Sequence, residues 1–158
     1  MGKLRLFYAT NRNHIGDRWS PSGYGNKFSD DGMENLRFGV VEVSADDKII
    51  NKHLKTKLKD CGEGNGVELG SYLADQAKKA VIKAYEEKLG KHIAQEAQTD
   101  VKLGSQAMFA DLMAVMENCS DVVIYIHGFN VSWHSAVGSA LALQLMLQRS
   151  KTADSTNN

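Results

Sequence analysis

Short apolar runs in the first third of the chain predict two β-strands. Residues 4–9, LRLFYA, combine aliphatic and aromatic side chains over the length of a strand. Residues 38–43, FGVVEV, are rich in valine and predict a second strand. Between them, residues 10–26 are rich in Gly, Asn and Ser and contain a proline, so we expect a long irregular loop there.

Apolar residues at helical spacing predict two helices further along the chain. From Leu69 to about Ala97 they recur every three or four positions, with Lys and Glu on the other face, as in one long amphipathic helix. A second helix is expected from Ser105 to Asn118. One side of it carries Met108, Phe109, Leu112, Met113 and Met116. We expect this side to pack in the core, the alternative being an adaptable binding face.

Two polar stretches lie between the second strand and the first helix. Residues 47–59, DKIINKHLKTKLK, place lysines at near-alternating positions and predict a solvated edge strand whose charges discourage edge-to-edge pairing. A nucleic-acid groove is the alternative, but it would add aromatic side chains and a basic surplus that the chain lacks. Residues 61–66, CGEGNG, fit no G-x-G-x-x-G register, so we expect a linker rather than a nucleotide loop.

Residues 121–132 predict a buried strand, a tight turn and the start of a helix. Every position from Val122 to Ile126 is apolar and most are β-branched, which is typical of a strand covered on both faces. The turn consists of His127, Gly128, Phe129 and Asn130. Ser132 is the expected N-cap of the apolar helix that follows. A helix, a buried strand, a tight turn and a helix in this order indicate an α/β fold with a parallel sheet.

Length and charge narrow the class of protein. The 158 residues fit a single domain, which we place at residues 1–150, followed by a polar, disordered tail at residues 151–158. Lys and Arg together number 19, as do Asp and Glu, so charge gives no reason to expect a nucleic acid or a membrane as partner. No apolar run has the length of a signal sequence or a membrane span, which favours a soluble, cytoplasmic protein.

Cysteine and histidine positions predict no disulfide, no metal site and no cofactor. Cys61 and Cys119 lie far apart and neither belongs to a CxxC motif, so we expect two free thiols. Three histidines are scattered without the spacing of metal ligands: His14, His53 and His92. His134 falls in the first turn of the last helix, where the dipole disfavours a positive charge, so we expect a neutral surface side chain.

The turn from His127 to Asn130 predicts a site for negatively charged oxygen. Free backbone N–H groups and the positive end of a helix dipole would meet at the carboxyl end of a sheet, where open α/β sheets bind ligands. Gly128 would let the main chain approach a ligand without an intervening Cβ. Two uses fit this arrangement: holding a phosphate or carboxylate, or stabilising an oxyanion during acyl transfer.

Residues 122–143, VVIYIHGFNVSWHSAVGSALAL, resemble the oxyanion-loop segment of α/β-hydrolases, in particular of a bacterial esterase-like family. The resemblance extends to residues 6–12, 37–44 and 108–116. It implies a partial α/β-hydrolase-like sheet with flanking helices and an esterase or lipase activity on a small acyl substrate. By that resemblance the Phe129 N–H donates to the oxyanion, Gly128 provides room, and His127 orients the turn.

The nucleophile of such an enzyme is missing. No pair of glycines four apart has a serine at its centre, so there is no G-x-S-x-G elbow; Gly62 and Gly66 enclose Gly64 instead. The residues after Asn130 form one helix and a polar tail, without room for the usual order of serine, acid and histidine. We therefore expect an incomplete hydrolase domain that carries the oxyanion-loop half, the alternative being a non-catalytic anion-binding or protein-interaction module.

An incomplete hydrolase sheet would leave the strand from Val122 to Ile126 with unpaired edges. Such an edge invites pairing with another chain. We expect the protein to self-associate or bind a partner chain through this strand, to rearrange its sheet, or to be poorly soluble.

Overall fold

The computed structural model describes residues 2–30, 36–58, 62–85, 104–119, 121–128 and 130–154. Its strands are β1 Gly2–Thr10, β2 Arg12–Gly16, β3 Pro21–Phe28, β4 Arg37–Ala45, β5 Lys57–Leu58, β6 Gly62–Glu63 and β7 Val81–Ala84. Its helices are α1 Asp47–Lys55, α2 Gly66–Ala77, α3 Gly104–Met116 and α4 Trp133–Asp154. Helices and strands are thus mixed, as the predicted α/β class requires.

The described strands form three small sheets. β1, β4 and β7 lie side by side in the order β1-β4-β7, whereas β2 pairs with β3 and β5 with β6. Both two-stranded sheets are antiparallel, in contrast to the parallel sheet that the element order indicated. Their strands are close neighbours in sequence, and a short turn can only return the chain antiparallel.

Contacts divide the chain into two compact units. The first contains Met1–Leu6, Glu42–Ala80 and Tyr125–Asn158, and the second contains Phe7–Val41 and Val81–Ile124. The turn predicted as an anion site belongs to the first unit, together with α2 and α4.

The two predicted strands and the last predicted helix are confirmed. β1 contains residues 4–9, and β4 contains residues 38–43. α4 begins at Trp133, directly after the predicted N-cap. It extends to Asp154, so residues 151–154, which we expected in the tail, are helical. Residues 155–158 lie outside the described part of the chain.

Most of the lysine-rich run, Asp47–Lys55, forms the helix α1, so the predicted edge strand over this run is wrong. Asp46 caps α1, since its side chain accepts a hydrogen bond from Lys48 N at 2.8 Å. Ile50 and Leu54, four residues apart, are buried on one face of the helix, and the lysines are exposed. The spacing of two apolar residues therefore decided the structure, rather than the alternation of the lysines.

A small hairpin, β5 with β6, occupies the stretch where we expected a linker. Lys57 pairs with Glu63, and Leu58 pairs with Gly62. Asn65 then caps the start of α2. The glycine-rich sequence is thus partly ordered by pairing with the chain that precedes it.

The predicted loop at residues 10–26 is wrong, because most of it forms the β2–β3 hairpin. His14 lies opposite Tyr24 in this antiparallel pair. Asp17 closes the turn between the strands, where its side chain accepts backbone hydrogen bonds, one of them from Trp19 N at 2.9 Å. Tyr24 is buried, so a stretch with the composition of a loop is ordered by a core contact.

The long helix expected over residues 69–97 is wrong in its extent. α2 ends at Ala77, and Val81–Ala84 forms β7 instead. Alternate residues of β7 are buried, including Ile82, because the strand lies beside β4 in the three-stranded sheet. Residues 86–103 lie outside the described part of the chain.

α2 and α4 pack together in the first unit. Buried aliphatic side chains fill this contact: Leu69, Leu73, Ala77, Val137, Leu141 and Ala142. The helices come close together at Gly138, where a Cβ atom would lie 2.5 Å from the Gly70 carbonyl oxygen. Only a glycine permits this separation without displacing backbone.

α3 confirms the predicted helix, but most of its methionine-rich side is not in the core. Met108 is buried, whereas Phe109 and Met113 are 52% and 66% exposed. The centroid of the Phe109 ring lies 6.5 Å from that of the Phe38 ring. Since the buried residues of α3 lie in its first half, the core of the second unit does not extend along the whole helix.

The segment from Val122 to Ile126 is neither a strand nor buried, which corrects the predicted buried strand. Residues 121–128 belong to no helix or strand, and Ile124 and Ile126 are 84% and 86% exposed. A strand needs neighbouring strands, and none of the described strands pairs with this segment. We call Val122–Ile126 the apolar segment.

In the described ranges, no helix combines the length and apolarity needed to cross a bilayer.

Candidate functional site

The turn after the apolar segment lies between a stretch without regular secondary structure and the helix α4. Residues 121–128 have no regular secondary structure, and α4 starts at Trp133. Asn130 adopts a left-handed conformation with φ 58°. Phe129, the oxyanion donor that the resemblance implied, lies outside the described residues. His127, Gly128 and Asn130 are all exposed, so the turn is open to solvent.

Ser132 is the N-cap of α4, as predicted. Its Oγ accepts a hydrogen bond from Ser135 N at 3.2 Å and donates one to Ser135 Oγ at 2.8 Å. The Ser132 carbonyl oxygen accepts the first helical bond, from Ala136 N at 2.9 Å. Trp133 is buried and anchors the first turn of the helix. The start of a helix of 22 residues is therefore held in place just after the turn.

Two amides of the turn have no internal acceptor. In the part of the chain that the structure describes, neither Gly128 N nor Asn130 N donates a hydrogen bond to another protein group. Exposed amides next to the N-terminus of a helix attract negatively charged oxygen, because the helix dipole places partial positive charge there. The turn thus has the donors that an anion site requires.

His127 is tied to the backbone of its own turn. Its Nδ1 lies 2.9 Å from the Gly128 carbonyl oxygen, so this nitrogen donates when it carries the ring proton. An imidazole held in this way braces the turn. The resemblance implied such an orienting role for His127.

Gly128 leaves room beside the turn. A Cβ atom at this position would meet only the Val131 Cγ2 atom, at the ordinary contact distance of 3.9 Å. The backbone therefore does not require glycine here. What glycine provides is space for an incoming group next to its amide.

The described residues contain no activated serine. Ser132 and Ser135 bond to each other, and no described histidine is hydrogen-bonded to a serine. His134, in the first turn of α4, has its pKa lowered by burial and by the positive charge of Lys78, so it is neutral at pH 7. Among the residues that the structure describes, no serine is thus paired with a histidine base.

A buried polar cluster in the second unit was not predicted from the sequence. The hydroxyls of Tyr8 and Tyr24 are hydrogen-bonded at 2.7 Å, and burial raises the pKa of both. Arg37 is 2% exposed and donates from Nη2 to Ser29 Oγ at 3.3 Å. Two hydrogen-bonded pairs thus place polar side chains in and beside the core of this unit. A tyrosine in an apolar strand was the one signal in the sequence.

Within the described ranges, no group of three His, Cys, Asp or Glu side chains could hold a metal ion. Cys119 is a free, exposed thiol, whereas Cys61 and His92 lie outside the described residues.

Comparisons with protein family models, with curated proteins and with solved structures found no protein similar to this chain.

Proposed function

We propose that residues 127–154 carry the oxyanion-holding turn and the following helix of an esterase- or lipase-type hydrolase that acts on an acyl ester. The observation that carries this proposal is the open turn, where the amides of Gly128 and Asn130 lack internal acceptors at the start of a long helix. Donors fixed before the reaction stabilise the negative charge that develops on the carbonyl oxygen.

The roles of the turn residues follow from the same proposal. The Phe129 N–H donates to the oxyanion, Gly128 admits the substrate, and His127 braces the turn through its contact with the Gly128 carbonyl oxygen. The hydrolase-like sheet is part of the proposal, and it requires strands on both sides of the apolar segment. The nucleophile, the acid and the catalytic histidine would come from residues that this chain does not contain.

Binding of a tetrahedral anion tests the turn directly. p-Nitrophenyl methylphosphonate resembles the charged intermediate of ester hydrolysis, and we expect it to shift the amide resonances of Gly128 and Asn130 in an NMR titration. A Gly128→Ala variant should bind this anion about tenfold more weakly, because the added methyl occupies the space beside the amide.

Gly70→Ala is the matched control, since it makes the same chemical change on α2, away from the turn. It should bind the phosphonate as well as the wild type does. Unchanged Gly128 and Asn130 resonances, or equal affinity of the Gly128→Ala variant, would contradict the proposal.

The chain alone should not hydrolyse p-nitrophenyl esters efficiently. An oxyanion site without a nucleophile retains only part of the catalysis of a complete enzyme. We expect p-nitrophenyl butyrate to be hydrolysed little faster than in buffer. Fast, saturable turnover would show that an attacking group is present after all.

A second candidate function is a module that binds a phosphate or carboxylate without chemistry. The absence of a G-x-S-x-G elbow favours it, because an open turn suffices for binding. Inorganic phosphate discriminates between the two functions. If it shifts the Gly128 resonance at lower concentration than the phosphonate does, the binding module is the better explanation.

A further inference from the structure

The apolar segment has the side chains of a sheet strand but no strand beside it. Four of its five residues are β-branched, and the fifth is Tyr125. Every one of these side chains is at least 41% exposed. Within the described residues, no backbone N–H or C=O of the segment is hydrogen-bonded to another protein group. Unpaired backbone with apolar side chains is a template for strand pairing.

We propose that the apolar segment pairs antiparallel with the same segment of a second copy of this chain, which gives a two-fold symmetric dimer. No residue of the segment has a positive φ, so an extended backbone is sterically open to all five. This pairing does not rest on the proposed function, since it would form whether or not the turn binds an anion.

The sequence of the segment is complementary to itself when the pair is centred on Ile124. In that register the apolar pairs are Ile124 with Ile124, Val122 with Ile126, and Val123 with Tyr125. The face formed by Val122, Ile124 and Ile126 contains the two most exposed isoleucines of the described residues, so pairing would remove a large apolar area from water.

Charge favours the antiparallel arrangement. Asp121 precedes the segment and His127 follows it, and both are exposed. In the antiparallel register, the Asp121 carboxylate of each copy faces the His127 imidazole of the other. A parallel register would instead place the two Asp121 carboxylates opposite each other, where like charges are unfavourable.

α3 carries further exposed apolar side chains that a second copy could cover. A stable interface typically buries roughly 800 Å² per partner, which is more than five strand residues cover. Phe109 and Met113 are exposed in the second unit, on the helix that precedes the apolar segment in the chain. Covering these side chains adds apolar area, and methionine adapts its shape to a partner.

Opposite charges at residue 124 test the register. Ile124→Glu and Ile124→Lys each place two like charges opposite each other, so each variant should raise the dimer dissociation constant by about tenfold or more. An equimolar mixture should restore the dimer, because glutamate then faces lysine. Sedimentation velocity of the full chain over a wide concentration range measures all three samples.

Val67→Glu is the matched control, because Val67 is also an exposed apolar residue, 80% accessible, but lies on α2. It should leave the dimer unchanged. The proposal is overturned if the wild type stays monomeric at every concentration, if it forms assemblies larger than a dimer, or if the mixed charge variants remain monomeric.

Disulfide trapping provides a second measurement with smaller changes. In a background of Cys61→Ser and Cys119→Ser, Ile124→Cys should cross-link two copies on oxidation, because facing strand residues lie within disulfide reach. Val122→Cys in the same background should not cross-link, since it faces residue 126. The reverse result, or equal cross-linking of both variants, would refute the register.

Discussion

Asn130 adopts a backbone conformation that most residues avoid. A positive φ brings Cβ close to the carbonyl oxygen, and asparagine tolerates this better than β-branched residues do. The sequence indicated a turn here from its polar Asn130 and small Gly128, so the location of the turn was predictable from local chemistry. The sequence also predicted free N–H groups at this turn, and the amides of Gly128 and Asn130 have no acceptor among the described residues.

Substitutions at Asn130 should separate the effect of its backbone conformation on stability from the effect of its side chain. Asn130→Gly should leave stability within a few tenths of a kcal/mol, whereas Asn130→Val should cost about 1 kcal/mol or more because valine is strained at positive φ. Urea denaturation measures both variants. Equal stability of the two would mean that residue 130 does not hold the left-handed conformation in solution.

The helices and strands show where the spacing of apolar residues is enough to predict an element from the sequence and where it is not. α4 and β4 followed from continuous apolar patterns. α1 did not, because two buried residues, Ile50 and Leu54, outweigh several exposed lysines. β7 did not follow from the sequence either, because a short apolar run fits both a helix and a strand. Only a neighbouring strand decides between the two.

The crossing of α2 and α4 depends on Gly138 more than on Gly70. Gly138→Ala should destabilise the protein by about 2 kcal/mol or more, because its Cβ would overlap the backbone of α2. Gly70→Ala should raise stability by about 0.5–1 kcal/mol, since its Cβ meets only ordinary contacts and alanine favours the helix.

Thermal unfolding followed by circular dichroism measures this pair of variants. If Gly138→Ala melts at or above the wild-type temperature, α2 and α4 do not cross as closely in solution as in the structure.

The packing of distant elements also affects the protein's response to pH. His134 on α4 is affected by burial and by Lys78 at the end of α2, and both lower its pKa below the usual 6.5. The unfolded state then binds more protons than the folded state, so stability is complete above 6.5 and is lost as the pH falls through the folded pKa.

His134→Gln removes this titration, so it should lose less thermal stability than the wild type between about pH 7.5 and pH 5. Lys78→Gln should reduce the same loss in part, because burial remains the larger cause. Parallel pH profiles for the wild type and both variants would rule out His134 as a source of acid destabilisation.

The sequence by itself determined which segments are apolar, where the turn between Ile126 and Ser132 falls, and that no G-x-S-x-G elbow exists. These depend on residue type and local spacing alone. Only the tertiary structure decided which apolar segments are buried, because burial needs neighbours from distant parts of the chain. Val122–Ile126 has the composition of a core strand, yet it is exposed, since none of the described strands lies beside it.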